Sequence, residues 1–254
     1  MNDLKQRLRL GQTVHGCWLN LGSALTAEIV GSSGFDWVLI DLEHGAGAEK
    51  DVLAQLQALK NTGTAALVRV ESAEPARISR VMDMGALGVM CPKVNNAAEA
   101  QKVVQGLHYP PLGRRGVAIM VRATDFGNSF DQYYQDTRTH ALCIVQIETK
   151  EALLHLDEIA GVDGVDVLFI GPADLTMDMG IFGQFDHPLY LQAVRDIVQA
   201  ADKSGKVAGI LFFDPNNDYP KYHGMGIRFL ACGSDSVFVA NGAGTLAKKL
   251  DSLR

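Results

Sequence analysis

The chain has 254 residues, 47% of them hydrophobic and 20% charged, and its formal net charge at pH 7 is -6. This length can hold one α/β barrel or two small domains with a large buried core. No apolar run is long enough to cross a bilayer, which argues against a membrane protein. The acidic balance and the lack of a Lys/Arg stripe argue against nucleic acid as a partner.

The N-terminal segment Met1–Leu10 is charged and predicts an amphipathic helix rather than a secretory signal, so we expect a cytoplasmic protein. The four cysteines are widely spaced and no Cys-x-x-Cys pair occurs; they are Cys17, Cys91, Cys143 and Cys232. Each lies in or beside an apolar run. We therefore expect buried, reduced thiols rather than zinc ligands or disulfides.

Eight apolar runs of strand length alternate with helical segments along the chain. The predicted strands are Val14–Gly22, Phe35–Gly45, Ala65–Val70, Leu87–Val94, Leu142–Glu148, the run from Val165 that contains Ile170, Val207–Phe212 and Phe229–Asp235. The predicted helices after the first are Ala24–Gly34, Glu49–Asn61, Pro75–Met84, Ala97–Leu107, an Ala/Leu/Glu-rich segment between the fifth and sixth strands, His187–Ser204, Tyr219–Met225 and Ser236–Leu253.

One segment, Tyr109–Asp136, breaks this alternation, with two adjacent prolines, several arginines and a run of aromatic and polar residues. It predicts a long loop, and long loops in compact domains commonly have a function, for instance as a lid.

Eight alternating units over this length favour a single (β/α)8 barrel spanning residues 1–254. Strands buried on both faces give continuous apolar runs such as these. An open, doubly wound sheet is the alternative. Against it, no Gly-x-Gly-x-x-Gly motif follows the first predicted strand.

Two carboxylates follow consecutive predicted strands: Glu148 ends the fifth, and Asp174 lies just beyond the sixth. The carboxyl ends of barrel strands form the active site, so both acids could bind a divalent cation such as Mg²⁺, Mn²⁺ or Co²⁺. Such a pair leaves coordination positions for a substrate that chelates through two oxygens, as a 2-oxo acid does. The alternative is that both acids only cap the starts of helices.

Three further features accompany the acids. Pro172 suits a first helical position, and the free N–H groups of Ala173 and Asp174 could bind a carboxylate. Arg69 ends the third predicted strand and could stabilise an oxygen that gains charge, or simply form a salt bridge. His44, flanked by acids, is either a general base or a structural histidine. Together they suggest proton abstraction or enolate chemistry.

Two positions support other readings. Lys93, at the end of the fourth predicted strand, could form a Schiff base with a carbonyl substrate, or it is an exposed lysine. Gly233-Ser234, after the start of the eighth predicted strand, could bind a phosphate, or it is a tight turn.

Several motifs, in order from about Gly11 to the C-terminus, resemble the metal-dependent (class II) pyruvate aldolases, which include the 4-hydroxy-2-oxoheptanedioate and 2-dehydro-3-deoxyglucarate aldolases. They are Gly16-Cys-Trp-Leu, Gly34-Phe-Asp-Trp-Val-Leu-Ile-Asp-Leu-Glu-His, Leu67-Val-Arg, Tyr109-Pro-Pro-Leu-Gly-Arg-Arg-Gly, Val145-Gln-Ile-Glu-Thr-Lys-Glu-Ala and Phe169-Ile-Gly-Pro-Ala-Asp-Leu.

The resemblance implies a (β/α)8 barrel whose last helix is exchanged with a neighbouring subunit, in a homohexamer. It also implies site roles: Glu148 and Asp174 would bind the metal, Arg69 the pyruvate C2 oxygen, and His44 would be the base. By the same resemblance, Asp41 of this subunit and Asp83 of an adjacent subunit would be the acids that hold the histidine. The pyruvate pocket would be lined by Trp18, Gln146, Gly171, Pro172, Ala173 and Leu211. Arg122 and the Arg114-Arg115 loop would lie near the mouth of the barrel.

The implied reaction is cleavage of a 4-hydroxy-2-oxo acid into pyruvate and an aldehyde, through a pyruvate enolate that the metal and Arg69 stabilise. Four residues depart from the family pattern where the aldehyde half should bind: Leu42, Gly45, Lys93 and Arg114. The alternatives are a Schiff-base aldolase that uses Lys93 and a non-catalytic barrel that binds an oxo acid or a phosphorylated metabolite.

Overall fold

Eight parallel strands close on one another in sequence order in the computed structural model, which describes residues 3–254. The strands are β1 (Val14–Leu19), β2 (Trp37–Asp41), β3 (Ala65–Arg69), β4 (Gly88–Cys91), β5 (Leu142–Ile147), β6 (Val167–Ile170), β7 (Val207–Phe212) and β8 (Phe229–Ser234). Each strand pairs with the next, and β1 closes the barrel by pairing with β8. The predicted (β/α)8 barrel is confirmed, and the open sheet is wrong.

One helix precedes β1, and the others follow strands around the outside of the barrel. They are α1 (Leu4–Arg9), α2 (Ala24–Gly31), α3 (Glu49–Ala58), α4 (Pro75–Asp83), α5 (Ala97–Leu107), α6 (Phe130–His140), α7 (Lys150–Leu154), α8 (Leu156–Ala160), α9 (Pro172–Asp178), α10 (Pro188–Lys203), α11 (Asp218–Gly224) and α12 (Asp235–Asp251). No helix among residues 3–254 is both long and apolar enough to cross a membrane. The first two residues of the predicted helix Met1–Leu10 lie outside the described range.

Alternation along each strand separates two apolar cores. In β2, Val38 and Ile40 point outward to the helices, whereas Trp37 and Leu39 fill the barrel interior. Leu4 and Leu8 of α1 join the interior core and close the base of the barrel, the end at which the strands begin. Because both faces of each strand are buried, the runs are continuously apolar.

Aromatic rings occupy much of the interior. The ring of Trp37 stacks on Phe229 at a centroid distance of 4.1 Å, and it meets Trp18 edge-on at 6.1 Å. Gly16 makes this possible, because a Cβ on β1 at this position would overlap the Trp37 indole. The glycine in the Gly16-Cys-Trp-Leu motif is therefore required by packing.

The predicted long loop, Tyr109–Asp136, is partly wrong. Residues Arg122–Gly127 form a short 3₁₀ segment, and α6 begins at Phe130. This helix is hard to recognise because Thr137 is its only buried residue, so no apolar stripe marks it in the sequence. Its rings instead pack locally, with Phe130 and Tyr134 both against Tyr109.

The four cysteines are free thiols, as expected, and three of them are buried. Burial raises the pKa of Cys17 and of Cys91 to about 12, which keeps both as neutral thiols. They therefore pack as small apolar residues.

Candidate active site at the mouth of the barrel

The mouth of the barrel, where the strands end, is centred on Arg69. This arginine is 8% exposed and its guanidinium donates to Asp41 through Nε (2.9 Å) and Nη2 (2.7 Å). Its Nη1 lies 2.9 Å from Oε2 of Glu43. These acids raise the pKa of Arg69 against the opposing effect of burial. The guanidinium is thus a fixed positive charge held by two carboxylates.

Glu148 follows β5 and is 2% exposed. Its Oε1 accepts a hydrogen bond from the backbone N–H of Lys93 (2.8 Å), and its Oε2 accepts one from Nε2 of Gln146 (3.1 Å). Burial raises the pKa of Glu148 to about 7; the Lys93 N–H lowers it, and Asp174 and Glu43 raise it further. Arg69 also lowers this pKa, yet the pKa remains raised, and a bound cation would further favour the ionised carboxylate.

Gly171 allows Glu148 this position. A Cβ at residue 171 would overlap Oε2 of Glu148 and would lie 2.9 Å from its Cβ. Gly171 is also the N-cap of α9, with Pro172 as the first helical residue. The N–H groups of Ala173 and Asp174 lie in the first turn, where a helix offers no carbonyl four residues earlier, and the Asp174 side chain is exposed.

Strand residues that precede the charged residues at the strand ends form the wall of the mouth. Trp18 is 5% exposed and lies 5.8 Å from the Arg69 guanidinium and 5.6 Å from the Phe169 ring. Leu211 is half-buried and packs on the interior core. Gln146 is 3% exposed, and its Oε1 has no hydrogen-bond partner among the described residues. That oxygen is a free acceptor beside Glu148.

His44 lies at the rim, with a side chain 64% exposed and its Nε2 3.7 Å from Oε1 of Glu43. The Asp41 carboxylate makes no hydrogen bond or ion pair with the His44 ring. Its Oδ1 instead accepts the backbone N–H groups of Glu43 (3.0 Å) and His44 (3.3 Å), and its other oxygen accepts from Nδ2 of Asn20 (3.0 Å). Within this chain, Asp41 orients Arg69 and the loop that carries His44.

Several residues implied by the resemblance lie at the base of this barrel. Asp83 ends α4, which runs back from the mouth, and it pairs with Arg115. Arg122 donates to the carbonyls of Met84 and Leu56 at the ends of α4 and α3. Placing Arg122 and the Arg114-Arg115 loop near the mouth is therefore wrong for a single chain, because helices α3 to α5 end at the opposite side. Arg114 therefore lies too far from the mouth to contact an aldehyde bound in its own barrel.

Two alternative readings lose support from their surroundings. The Lys93 side chain is exposed, and the residue enters the site through its backbone N–H, with a positive φ of 52°. A Schiff-base lysine requires a desolvated amine. The Ser234 hydroxyl accepts from the N–H of Val237 (3.3 Å) as the cap of α12, and it also hydrogen-bonds the Ser236 hydroxyl (2.8 Å), so it is already engaged within the chain.

The residues available for a metal fit an ion that keeps most of its coordination positions for other ligands. No group of three or more His, Cys, Asp or Glu side chains suited to a metal occurs within residues 3–254. Asp174 is near enough to Glu148 to raise its pKa, and the two residues supply two hard oxygen donors. Magnesium-type ions commonly take one or two protein carboxylates and complete their shell with substrate and water.

Two residues at the mouth had no role assigned from the sequence. In the sequence, Glu43 is only one of the acids that flank His44, yet in the structure it forms the second ion pair of Arg69. Asn20 links β1 to the site, because its side chain donates to Asp41 and its backbone N–H donates to the buried Asp235 (2.7 Å). The crowding of acids after the second strand was the available signal for Glu43, whereas no pattern in the sequence indicated Asn20.

Comparison with known proteins agrees with this arrangement. The model of the HpcH/HpaI aldolase/citrate lyase family matches residues 15–242. The chain is 38% identical to the hydroxypyruvate/pyruvate aldolase of Roseobacter denitrificans, over 98% of this chain and 97% of that protein. It is 39% identical to the 4-hydroxy-2-oxo-heptane-1,7-dioate aldolase of Klebsiella pneumoniae subsp. pneumoniae, over 98% and 93%.

Among solved structures, an HpcH/HpaI aldolase/citrate lyase family protein from Burkholderia cenocepacia J2315 superimposes with a TM-score of 0.92 at 33% identity. The alignment covers 99% of this chain and all of that one. The likeness thus extends from the mouth to the base of the barrel. This chain is a lyase that belongs to the HpcH/HpaI aldolase/citrate lyase family.

Proposed function

We propose that this chain is a metal-dependent aldolase that cleaves a 4-hydroxy-2-oxo acid into pyruvate and an aldehyde. The observation that carries the proposal is the buried carboxylate of Glu148, which faces Asp174 and Arg69 at the mouth of an aldolase-family barrel. Two relatives that align with 98% of this chain are named as aldolases for different substrates. They therefore support an aldol reaction more strongly than they support any particular aldehyde product.

Two features of the mouth fit the pyruvate half of the substrate. The N–H groups of Ala173 and Asp174 at the start of α9 would donate to its carboxylate. The Arg69 guanidinium would donate to the C2 oxygen, which gains negative charge when the carbon–carbon bond breaks. Because Asp41 and Glu43 already fix the guanidinium, little reorganisation would be needed during the reaction.

Glu148 and Asp174 would hold a divalent cation such as Mg²⁺, Mn²⁺ or Co²⁺, which acts as a Lewis acid toward the oxygens of a 2-oxo acid. Gln146 would keep Glu148 oriented through its amide N–H, and its free Oε1 would face the substrate pocket. Trp18 and Leu211 would exclude water from the pyruvate methylene.

His44 would take the proton from the 4-hydroxyl. Its exposed ring at the rim suits a group that meets the aldehyde half of the substrate, and Glu43 lies close enough to favour the imidazolium that results. Since Asp83 is at the base, any contact between it and His44 would have to come from another subunit.

Helix α12 supports a homo-oligomer, which we propose to be a hexamer with α12 exchanged between neighbours. Only Asp235 in this helix is buried. Its exposed apolar residues are Val237, Phe238, Val239, Leu246 and Leu250. Such a surface is typical of a helix that packs on another subunit. The free thiols accord with our proposal of a cytoplasmic location.

The test is pyruvate release from a panel of 4-hydroxy-2-oxo acids with Mg²⁺, Mn²⁺ or Co²⁺, each repeated with a chelator. We expect metal-dependent release, and a loss of about 10³-fold or more in the Glu148→Gln and Asp174→Asn variants. Glu151→Gln, on the exposed face of α7, is the matched control and should retain wild-type turnover.

Turnover that persists in chelator, together with borohydride inactivation in the presence of pyruvate, would instead identify a Schiff-base aldolase. No release with any substrate and metal would favour a non-catalytic oxo-acid-binding barrel.

A further inference from the structure

A second cavity, of about 680 Å³, lies at the base of the barrel, at the opposite end from Arg69 and Glu148. It lies between α1 and the starts of β5 to β8, and the ends of α5 and α6 also contribute to its lining. A cavity of this size can hold a small metabolite. Neither the reaction proposed above nor the sequence motifs assign it a role.

Cationic side chains dominate the lining. Five of them face two acids, in a chain whose net charge is -6; they are Lys5, Arg9, Arg138, Lys206 and Arg228, against Asp166 and Asp202. Lys5 is already paired, because its Nζ lies 2.9 Å from Asp166 and donates to the carbonyl of Ala141. Within residues 3–254, the other four have no carboxylate at ion-pair distance. The lining therefore carries an excess of positive over negative side chains.

Two of these cations are held at the cavity by backbone carbonyls. The half-buried Lys206 precedes β7, and its Nζ donates to Val162 (2.9 Å) and Val165 (2.7 Å). Arg228 precedes β8, and its Nη1 donates to the carbonyls of His223 and Ile227. These contacts fix the side chains without neutralising them, which leaves further N–H donors for a ligand.

His108 provides an independent indication of a ligand. It follows α5, lines the cavity and is only 1% exposed, yet neither ring nitrogen has a hydrogen-bond partner among the described residues. Burial beside the charges of Lys5 and Arg115 lowers its pKa to about 4, so the ring is a neutral donor and acceptor. Buried polar groups are rarely left unpaired without a reason.

We propose that this basal cavity is a binding site for a small, multiply charged oxyanion, held by Lys206, Arg228, Arg138 and a hydrogen bond from His108. Guanidinium groups match both phosphate and carboxylate oxygens, so the shared chemistry is a compact anion with two or more charges. The site is separate from the reaction at the mouth, and it can exist whether or not the proposed aldolase activity is correct.

The test is calorimetric titration of the metal-free, full-length protein with inorganic phosphate, glycerol 3-phosphate and citrate. We expect saturable binding of at least one of them with Kd of about 1 mM or tighter. Tighter binding of the two phosphates would identify a phosphate-bearing ligand, and tighter binding of citrate a polycarboxylate. The absence of saturable binding by all three would overturn the proposal.

Variants locate the site. Arg228→Gln should weaken binding about tenfold or more, because it removes a charge-assisted donor. Arg195→Gln, on the exposed surface of α10, is the matched control and should leave the Kd unchanged. His108→Phe should weaken binding and also raise the melting temperature of the free protein, since it removes an unpaired buried group. Equal affinity in wild type and Arg228→Gln would show that the anion binds elsewhere and would refute the basal site.

Discussion

The two ends of this barrel carry opposite charge. At the mouth, Asp41, Glu43 and Glu148 surround the single guanidinium of Arg69. At the base, unpaired lysine and arginine side chains outnumber the acids. Each end also contains a buried polar side chain with an unpaired atom, Gln146 at the mouth and His108 at the base. The contrast fits our two proposals, a cation site at the mouth and an anion site at the base.

The contrast arises from the residues that adjoin each strand. Acids follow β2 and β5, whereas Lys206 and Arg228 directly precede β7 and β8. Because every strand runs the same way, residues that follow strands meet at one end and residues that precede them meet at the other. Residues on either side of a strand therefore reach opposite ends of the barrel. The division of charge is not complete, because Asp166 directly precedes β6 and pairs with Lys5 at the base, and Arg69 ends β3 at the mouth.

The largest expected effect concerns the pH dependence of stability at the mouth. The pKa of Glu148, about 7 in the folded protein against a usual 4.5, means that the native state binds more protons than the unfolded state between these values. Its contribution to stability should therefore fall as pH rises from about 4.5 to 7 in metal-free protein, by an amount on the order of 3 kcal/mol.

Thermal unfolding in chelator across this pH range measures the effect. Glu148→Gln should lose this component of the pH dependence, while the exposed-surface variant Glu151→Gln should follow the wild type. Added Mg²⁺ should stabilise the wild type more at pH 8 than at pH 5, because the cation requires the ionised carboxylate. An identical pH profile in the Glu148→Gln variant would contradict the assignment of an uncompensated acid at the mouth.

A smaller effect is expected from the substitution Arg69→Lys at the mouth. Lysine in place of Arg69 keeps the charge but cannot donate to Asp41 and Glu43 while also reaching a substrate oxygen. We expect kcat/KM for pyruvate release to fall about 10²-fold.

The control for this prediction is Arg80→Lys, on the exposed side of α4, which should retain wild-type turnover. The Arg69→Lys variant should still bind Mg²⁺ through Glu148 and Asp174, which separates loss of catalysis from loss of folding. A normal kcat/KM would show that the guanidinium fork has no part in the reaction.

The smallest effect tests the packing that places Glu148. In Gly171→Ala, the new Cβ would meet the Glu148 carboxylate and displace it. We expect a loss of roughly 1–2 kcal/mol in the free energy of unfolding, together with weaker Mg²⁺ binding. Gly116→Ala is the matched control, because nothing lies within 4 Å of its added Cβ and its φ is not positive. Unchanged metal affinity in Gly171→Ala would show that Glu148 does not depend on this close approach.

Much of the architecture follows from the sequence alone. Runs that are mostly apolar, such as Trp37–Asp41, are typical of strands covered on both faces, and eight of them alternating with helices favour a closed parallel barrel. The same reasoning brings Glu148, Asp174 and Arg69 to one end, because each follows a strand. Periodicity did not reveal α6, since Thr137 is its only buried residue and the helix lacks an apolar stripe.

Only the tertiary structure decided which groups contact one another. The family resemblance implied that Asp41 holds His44, whereas within this chain its carboxylate accepts two hydrogen bonds from Arg69. No sequence pattern indicated the basal cavity, whose lining comes from α1, α6, β5, α10 and β7 and from loops that are distant along the chain. Hydrophobic periodicity reports only whether a residue is buried or exposed. The partners of a buried charge depend on how the strands and helices close around it.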